Sequence, residues 1–150
     1  MKLRLFAAVA LICYSGSLWA EPVISEAVAP SAECLRYDGD STKLSGTMFS
    51  RIYFGPPGYG EAPLTDAREQ AALLLLDAPI CVNASAHPER DNSSFEENLI
   101  VVQLAPVHVT PSEINEMQGR RVTVTGRLYH ALTGHHRTSV LLDVHHVQAP

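Results

Sequence analysis

Imidazoles are the side chains with the most chemistry to offer in this sequence, and they crowd at one end of it. Of seven histidines, five lie beyond residue 129. The run Tyr129-His130-Ala131-Leu132-Thr133-Gly134-His135-His136-Arg137-Thr138 sets three of them around a glycine. Imidazole can ligate a transition metal, take a proton near neutral pH or hydrogen-bond through both nitrogens. Three readings follow. The first is structural: imidazoles bonded to Thr133, Thr138 or backbone close the end of a fold. The second is recognition by Tyr129, His130, His135, His136 and Arg137, joined by Tyr59 from an earlier loop. The third is a metal site at His130 and His136, although two histidines with no Asp, Glu or Cys in the same stretch make an incomplete ligand set.

Catalytic patterns are missing from the rest of the chain. It contains no G-x-S-x-G, no H-E-x-x-H and no isolated carboxylate pair at a strand end. A histidine base at His130 or His136 has no nucleophile partner in the sequence. The expectation is a non-enzymatic protein without a cofactor, with a small hydrolase built on a histidine base kept as an alternative. His145 and His146 lie about ten residues further on, roughly 30 Å at extended spacing. As neighbours on a strand they are expected on opposite faces, unable to chelate together. His87 and His108 read as lone loop residues, and Asp143 as solvent-facing.

The elements that must hold these residues are legible from periodicity. Residues 44–54 alternate, with Leu44, Gly46, Met48, Ile52 and Phe54 on one face, which is a strand bent at Gly46. Gly55-Pro56-Pro57-Gly58-Tyr59-Gly60 stops it, and a loop runs to about residue 68. A phosphate cradle there is disfavoured because the P-loop Lys-Ser/Thr is missing. Residues 71–76 and 80–82 form a buried strand with a break at Pro79. Residues 83–98 form a long polar loop, and 99–104 a third strand. Thr110-Pro111-Ser112-Glu113 has the capping-box pattern of a short helix, which Gly119 ends. Residues 121–129 and 139–147 alternate as two final strands. Matching their apolar faces pairs Leu128 with Val140 around a three-residue turn, Thr133-Gly134-His135. Three strands, a short helix and two strands is the order of the oligonucleotide/oligosaccharide-binding (OB) barrel. The expected fold is therefore a mostly β, five-stranded OB-like Greek-key barrel with one helix between strands three and four. In such barrels the loops at 55–68 and 130–138 are the binding edges.

Before the barrel lies an address. Lys2 and Arg4, a short apolar run, and Leu18-Trp19-Ala20 ahead of Glu21-Pro22 form a signal peptide over residues 1–20. Ile12 before Cys13 argues against lipidation. Residues 21–33 read as a flexible lead-in, and 34–150 as one domain. No membrane anchor is expected after cleavage, so the protein is periplasmic or secreted. Cleavage would leave 9 basic against 16 acidic side chains, a net charge of −7. That charge repels phosphate backbones and argues against nucleic acid. Cys34 and Cys81 are then the only cysteines, expected to form a disulfide in an oxidising compartment and to contribute about 3–4 kcal/mol.

The segment Gly119-Arg120-Arg121-Val122-Thr123-Val124-Thr125-Gly126-Arg127-Leu128-Tyr129-His130, with the T-G-H-H-x-T motif at 133–138, resembles an exported bacterial family, domain of unknown function 4431. Gly-Pro-Pro-Gly-Tyr at 55–59 and Leu-Leu-Leu-Asp-Ala-Pro-Ile-Cys-Val at 74–82 are similar to it too, so the resemblance is expected to run from about Leu44 to the C-terminus. It implies a secreted bacterial protein and assigns no catalytic residue. The function expected is a binding module of the cell envelope that takes a protein or a small ligand, an inhibitor or immunity role included. The alternatives are histidine-mediated metal binding and the small hydrolase.

Overall fold

Strands with one apolar face bury it by rolling up, and small residues decide where the roll is tight. A computed structural model describes residues 33–150. The expected signal peptide, and all of the lead-in but Glu33, lie outside the described residues. The elements are β1 (Leu35–Arg36), β2 (Thr42–Phe54), β3 (Arg68–Asn83), α1 (Pro88–Asp91), β4 (Glu96–Ala105), α2 (Pro111–Glu116), β5 (Arg121–His130) and β6 (Val140–Gln148). β2 pairs antiparallel with β3 and β5, β3 with β4, and β5 with β6. A parallel seam, Gln103–Ala105 against Leu141–Asp143, joins β4 to β6 and closes a five-stranded barrel. The closure order and the helix between the third and fourth barrel strands are those of the expected OB-like barrel. β1 stays outside the barrel, parallel to the end of β3.

Met48, Leu74, Val102, Val124, Leu128, Leu142 and Val144 fill the interior and are almost wholly shielded from water. Ile114 of α2 and Tyr37, just after β1, pack into the same cluster. The capping box forms as expected. The Thr110 hydroxyl accepts from the Glu113 amide, and the Glu113 carboxylate accepts from the Thr110 amide at 2.7 Å. Cys34 and Cys81 are bonded, with Cα atoms 4.8 Å apart, so β1 is held covalently beside the end of β3. Two glycines mark the tightest approaches. A Cβ at Gly46 would fall on the Leu75 carbonyl, and one at Gly126 on the Asp143 carbonyl.

Four expectations about the strands need correction. Leu128 pairs with Leu142, not Val140, and Gly126 with Val144. The connection is not a three-residue turn but spans residues 131–139, closed by the Ala131 amide donating to the Ser139 carbonyl. Because the slip is two residues, the side chains of 126–130 and 140–144 keep their faces and the barrel survives. Secondly, β5 and β6 fall out of step between Thr125 and Gly126, leaving His145 as the extra residue of a bulge. His145 and His146 are consequently both exposed, instead of facing opposite ways. Thirdly, β3 runs unbroken through Pro79, since register shifts beside it absorb the missing donor. Finally, Ile52 is 66% exposed, because β2 and β3 project past the barrel as a ribbon.

Two outcomes test this packing. G46A and G126A each force backbone apart and should cost on the order of 2 kcal/mol, read as a lowered denaturation midpoint. Reducing the disulfide, or C34S/C81S, should cost about 2–4 kcal/mol, with β5–β6 amide protection keeping its pattern.

Candidate functional site

The two expected binding loops meet over one carboxylate. Residues 55–67 connect β2 to β3. Their glycine-rich backbone does form an anion cradle, but the protein fills it. The Asp66 carboxylate accepts from the amides of Gly58 (2.8 Å), Gly60 (2.7 Å) and Ala62 (3.2 Å). Burial works to raise the Asp66 pKa, and these amides outweigh it, so the group is held below its usual range. Gly58 must stay bare, because a Cβ would stand 2.9 Å from Asp66 Oδ1. The cradle fixes the loop so that Tyr59, in left-handed backbone, presents a 43% exposed side chain.

The 131–139 loop folds back along the outside of the barrel, and each motif residue has a visible task. The Thr133 carbonyl accepts from the His136 amide. Gly134 lies beneath the Tyr59 ring, where a Cβ would come within 2.9 Å of Cε1. His136 Nδ1 accepts from the Leu132 amide at 2.7 Å, which requires that nitrogen to be unprotonated. Burial, and then the nearby His135, push the His136 pKa down, in keeping with that role. The Thr138 hydroxyl accepts from the Gln103 amide (3.0 Å) and donates to the Val140 carbonyl (2.6 Å), splicing the loop into the parallel seam. The Gln103 side chain reaches outward to the Arg137 amide and the His135 carbonyl.

Glu69, at the start of β3, locks the two loops together. Its carboxylate accepts from His135 Nδ1 (2.9 Å) and Arg137 Nη2 (2.7 Å). Hydrogen bonding from His135, and then the positive charge of Arg137, hold the Glu69 carboxyl below its usual range against some burial. Arg137 also donates to the Phe54 carbonyl and stacks over the Tyr53 ring, 5.0 Å from its centroid. Only 11% of its side chain is exposed. His135 rises above this base, more than half exposed, with its ring edge-to-face against Tyr59 at 5.8 Å and its Nε2 3.4 Å from the Tyr59 hydroxyl. Tyr129 packs edge-to-face on His136 at 5.6 Å. Tyr129, His135 and His136 line a cleft of about 440 Å³ that also touches Gln70, Gln103 and Asn115.

Five of the six expected binding residues therefore stand together, and His130 does not. It sits 6.0 Å from the Tyr37 ring, with Nδ1 on the Ala131 carbonyl and Nε2 within 3.3 Å of Glu96 and Ser94. His130 and His136 thus keep separate hydrogen-bond partners. Glu69 and Gln103 were not singled out from the sequence, because nothing local marks a strand residue whose partner is a loop some 30 or more positions away. His108 is not the lone loop residue expected, since its ring stacks on that of His145 at 4.8 Å. Asp143 is partly buried rather than facing solvent, and its Oδ1 has no hydrogen-bond partner among the described residues.

The T-G-H-H-x-T loop and the seam residue Gln103 that supports it lie in one stretch of chain, and that stretch carries the family likeness. Residues 102–148 match the family Domain of unknown function (DUF4431). The match begins inside β4 and takes in α2, β5, the T-G-H-H-x-T loop and β6. It is shorter than the expected reach from Leu44, and the resembling segments at 55–59 and 74–82 lie outside it. No curated protein and no solved structure gave a match. Within the DUF4431 segment the motif is an architectural lock whose exposed face is His135. Among the described residues, no helix is long and apolar enough to cross a membrane. The Cys34–Cys81 bond is of the kind that persists in an oxidising compartment.

The lock has a pH signature. The depressed His136 pKa contributes stability that is whole above the ordinary histidine value, and it is lost as pH falls through the lowered folded value. The Leu132 and Thr133 amides should lose exchange protection as pH drops below the ordinary histidine range. His136→Asn, which keeps an acceptor that cannot take up a proton, should hold that protection to lower pH.

Proposed function

We propose that this protein is a non-enzymatic binding module of the bacterial cell envelope, exported by its first twenty residues, and that it takes a protein or small ligand across the joined 55–67 and 131–139 loops. One observation carries the reading. The Arg137–Glu69 pair, largely removed from water, holds an exposed Tyr59–His135 aromatic pair rigid beside a cleft of about 440 Å³. Binding then spends little free energy on ordering loops, the cost that most weakens loop-built surfaces. Tyrosine and histidine offer apolar area together with polar tips, a composition suited to a binding centre. The net negative charge favours a partner with basic or neutral contacts over nucleic acid.

The test is comparative capture from a periplasmic extract, paired with thermal-shift screening of small ligands. A partner or ligand retained by the protein should be lost from Y59A and H135A and kept by H130A, which lies away from the junction. Equal retention by all four proteins would rule the joined loops out as the binding edge.

A further inference from the structure

The parallel seam does more than close the barrel. Beyond Ala105 the chain continues beside β6, and the His108 amide donates to the Val144 carbonyl at 3.4 Å. That contact lays His108 alongside the outer face of β6. The bulge turns His145 outward on the same side, two residues from Asp143. His108 Nε2 and His145 Nε2 each stand 3.7 Å from Asp143 Oδ2, and the two rings are nearly perpendicular, at 84°. All three ligand atoms lie within 4.8 Å of one another.

We propose that His108, Asp143 and His145 form a binding site for one divalent transition-metal ion of the zinc or copper class. Tetrahedral bonds of about 2.0–2.2 Å separate neighbouring ligand atoms by roughly 3.3–3.5 Å. The two nitrogen–oxygen separations already approach that spacing. The imidazoles are the mobile members, at 57% and 41% exposure, so small side-chain rotations bring their nitrogens together. The carboxylate is the fixed member. Asp143 lies within the seam, paired with Ala105 on one side and Arg127 on the other, and its carbonyl is pressed against Gly126. Its Oδ1 is buried without a hydrogen-bond partner among the described residues, a costly arrangement for a carboxylate whose charge a cation on Oδ2 offsets. Two imidazoles and one carboxylate suit zinc, copper or nickel, and they suit calcium or magnesium poorly, since those ions take all-oxygen shells. Three protein ligands leave a fourth position open to water or to a donor from another molecule.

The site is separate from the loop junction and stands or falls without it. Untagged, chelator-treated protein titrated calorimetrically with Zn²⁺ or Cu²⁺ should bind one ion. H108A and H145A should each weaken that binding by about tenfold or more. Their metal-free melting temperatures should match the parent, and H87A, at the start of α1, should bind at full strength. With Cu²⁺, the electron paramagnetic resonance spectrum should carry hyperfine structure from two imidazole nitrogens and lose it in either variant. No saturable binding of either ion, binding unaffected by both substitutions, or equal binding of Mg²⁺ would each overturn the assignment.

Discussion

Three residue pairs hold this architecture in its working form. The parallel seam between β4 and β6 spans only Gln103–Ala105 and Leu141–Asp143. Parallel strands cannot be joined by a tight turn, so this contact forms only after α2 and β5 have brought the chain around. It closes the barrel and thereby leaves no barrel strand with an open edge in its hydrogen-bonded ring. It also sets the outer surface. Gln103, at the seam's start, faces outward under the 131–139 loop and bonds to it through both backbone and side chain. Ala105, at its end, launches the segment that carries His108 to His145. The loop junction and the His–Asp cluster are two consequences of a single short contact.

Electrostatics then decide how rigid that outer surface is. Exposed ion pairs contribute little on their own. Arg137 differs because its guanidinium is almost covered, lies over the Tyr53 ring, and divides its donors between a carboxylate and a backbone carbonyl. Leaving either Arg137 or Glu69 without the other would strand a desolvated charge, so the pair specifies one loop arrangement more than it adds stability. The same reasoning separates the histidines. His136 is a neutral acceptor inside the loop, His130 is bonded beside Tyr37, and of the three in this stretch only His135 offers most of its side chain to solvent.

What the sequence revealed, and what it hid, follows from the reach of each interaction. Strand periodicity and the capping box at Thr110–Glu113 are local, and the structure reproduces them, while Gly46 is where β2 and β3 approach most closely. The inward faces of β5 and β6 were also legible, because Leu128, Val140 and Leu142 share one parity. Their register was not. A slip of two residues conserves that parity, and the length of the connection was set by Thr138, Gln103 and Glu69, which act across the barrel. The His108–Asp143–His145 group was hidden for a related reason. Asp143 and His145 sit two apart, a spacing visible in sequence, but His108 joins them only through parallel pairing, and the bulge at His145 leaves no mark that a reader could locate beforehand.

The Asp66 cradle has a consequence for how this surface can change. The 55–67 loop satisfies its own amides with its own carboxylate, so its backbone course is written within itself. The side chains of Glu61 and Leu64, at its exposed outer bend, take no part in that internal bonding, which Glu61 joins only through its amide to the Gly58 carbonyl. The loop behaves as a self-contained cassette: its outer residues can be exchanged while Tyr59 stays at the same height and angle. Diversification of this exposed edge is thereby uncoupled from the folding of the scaffold beneath it.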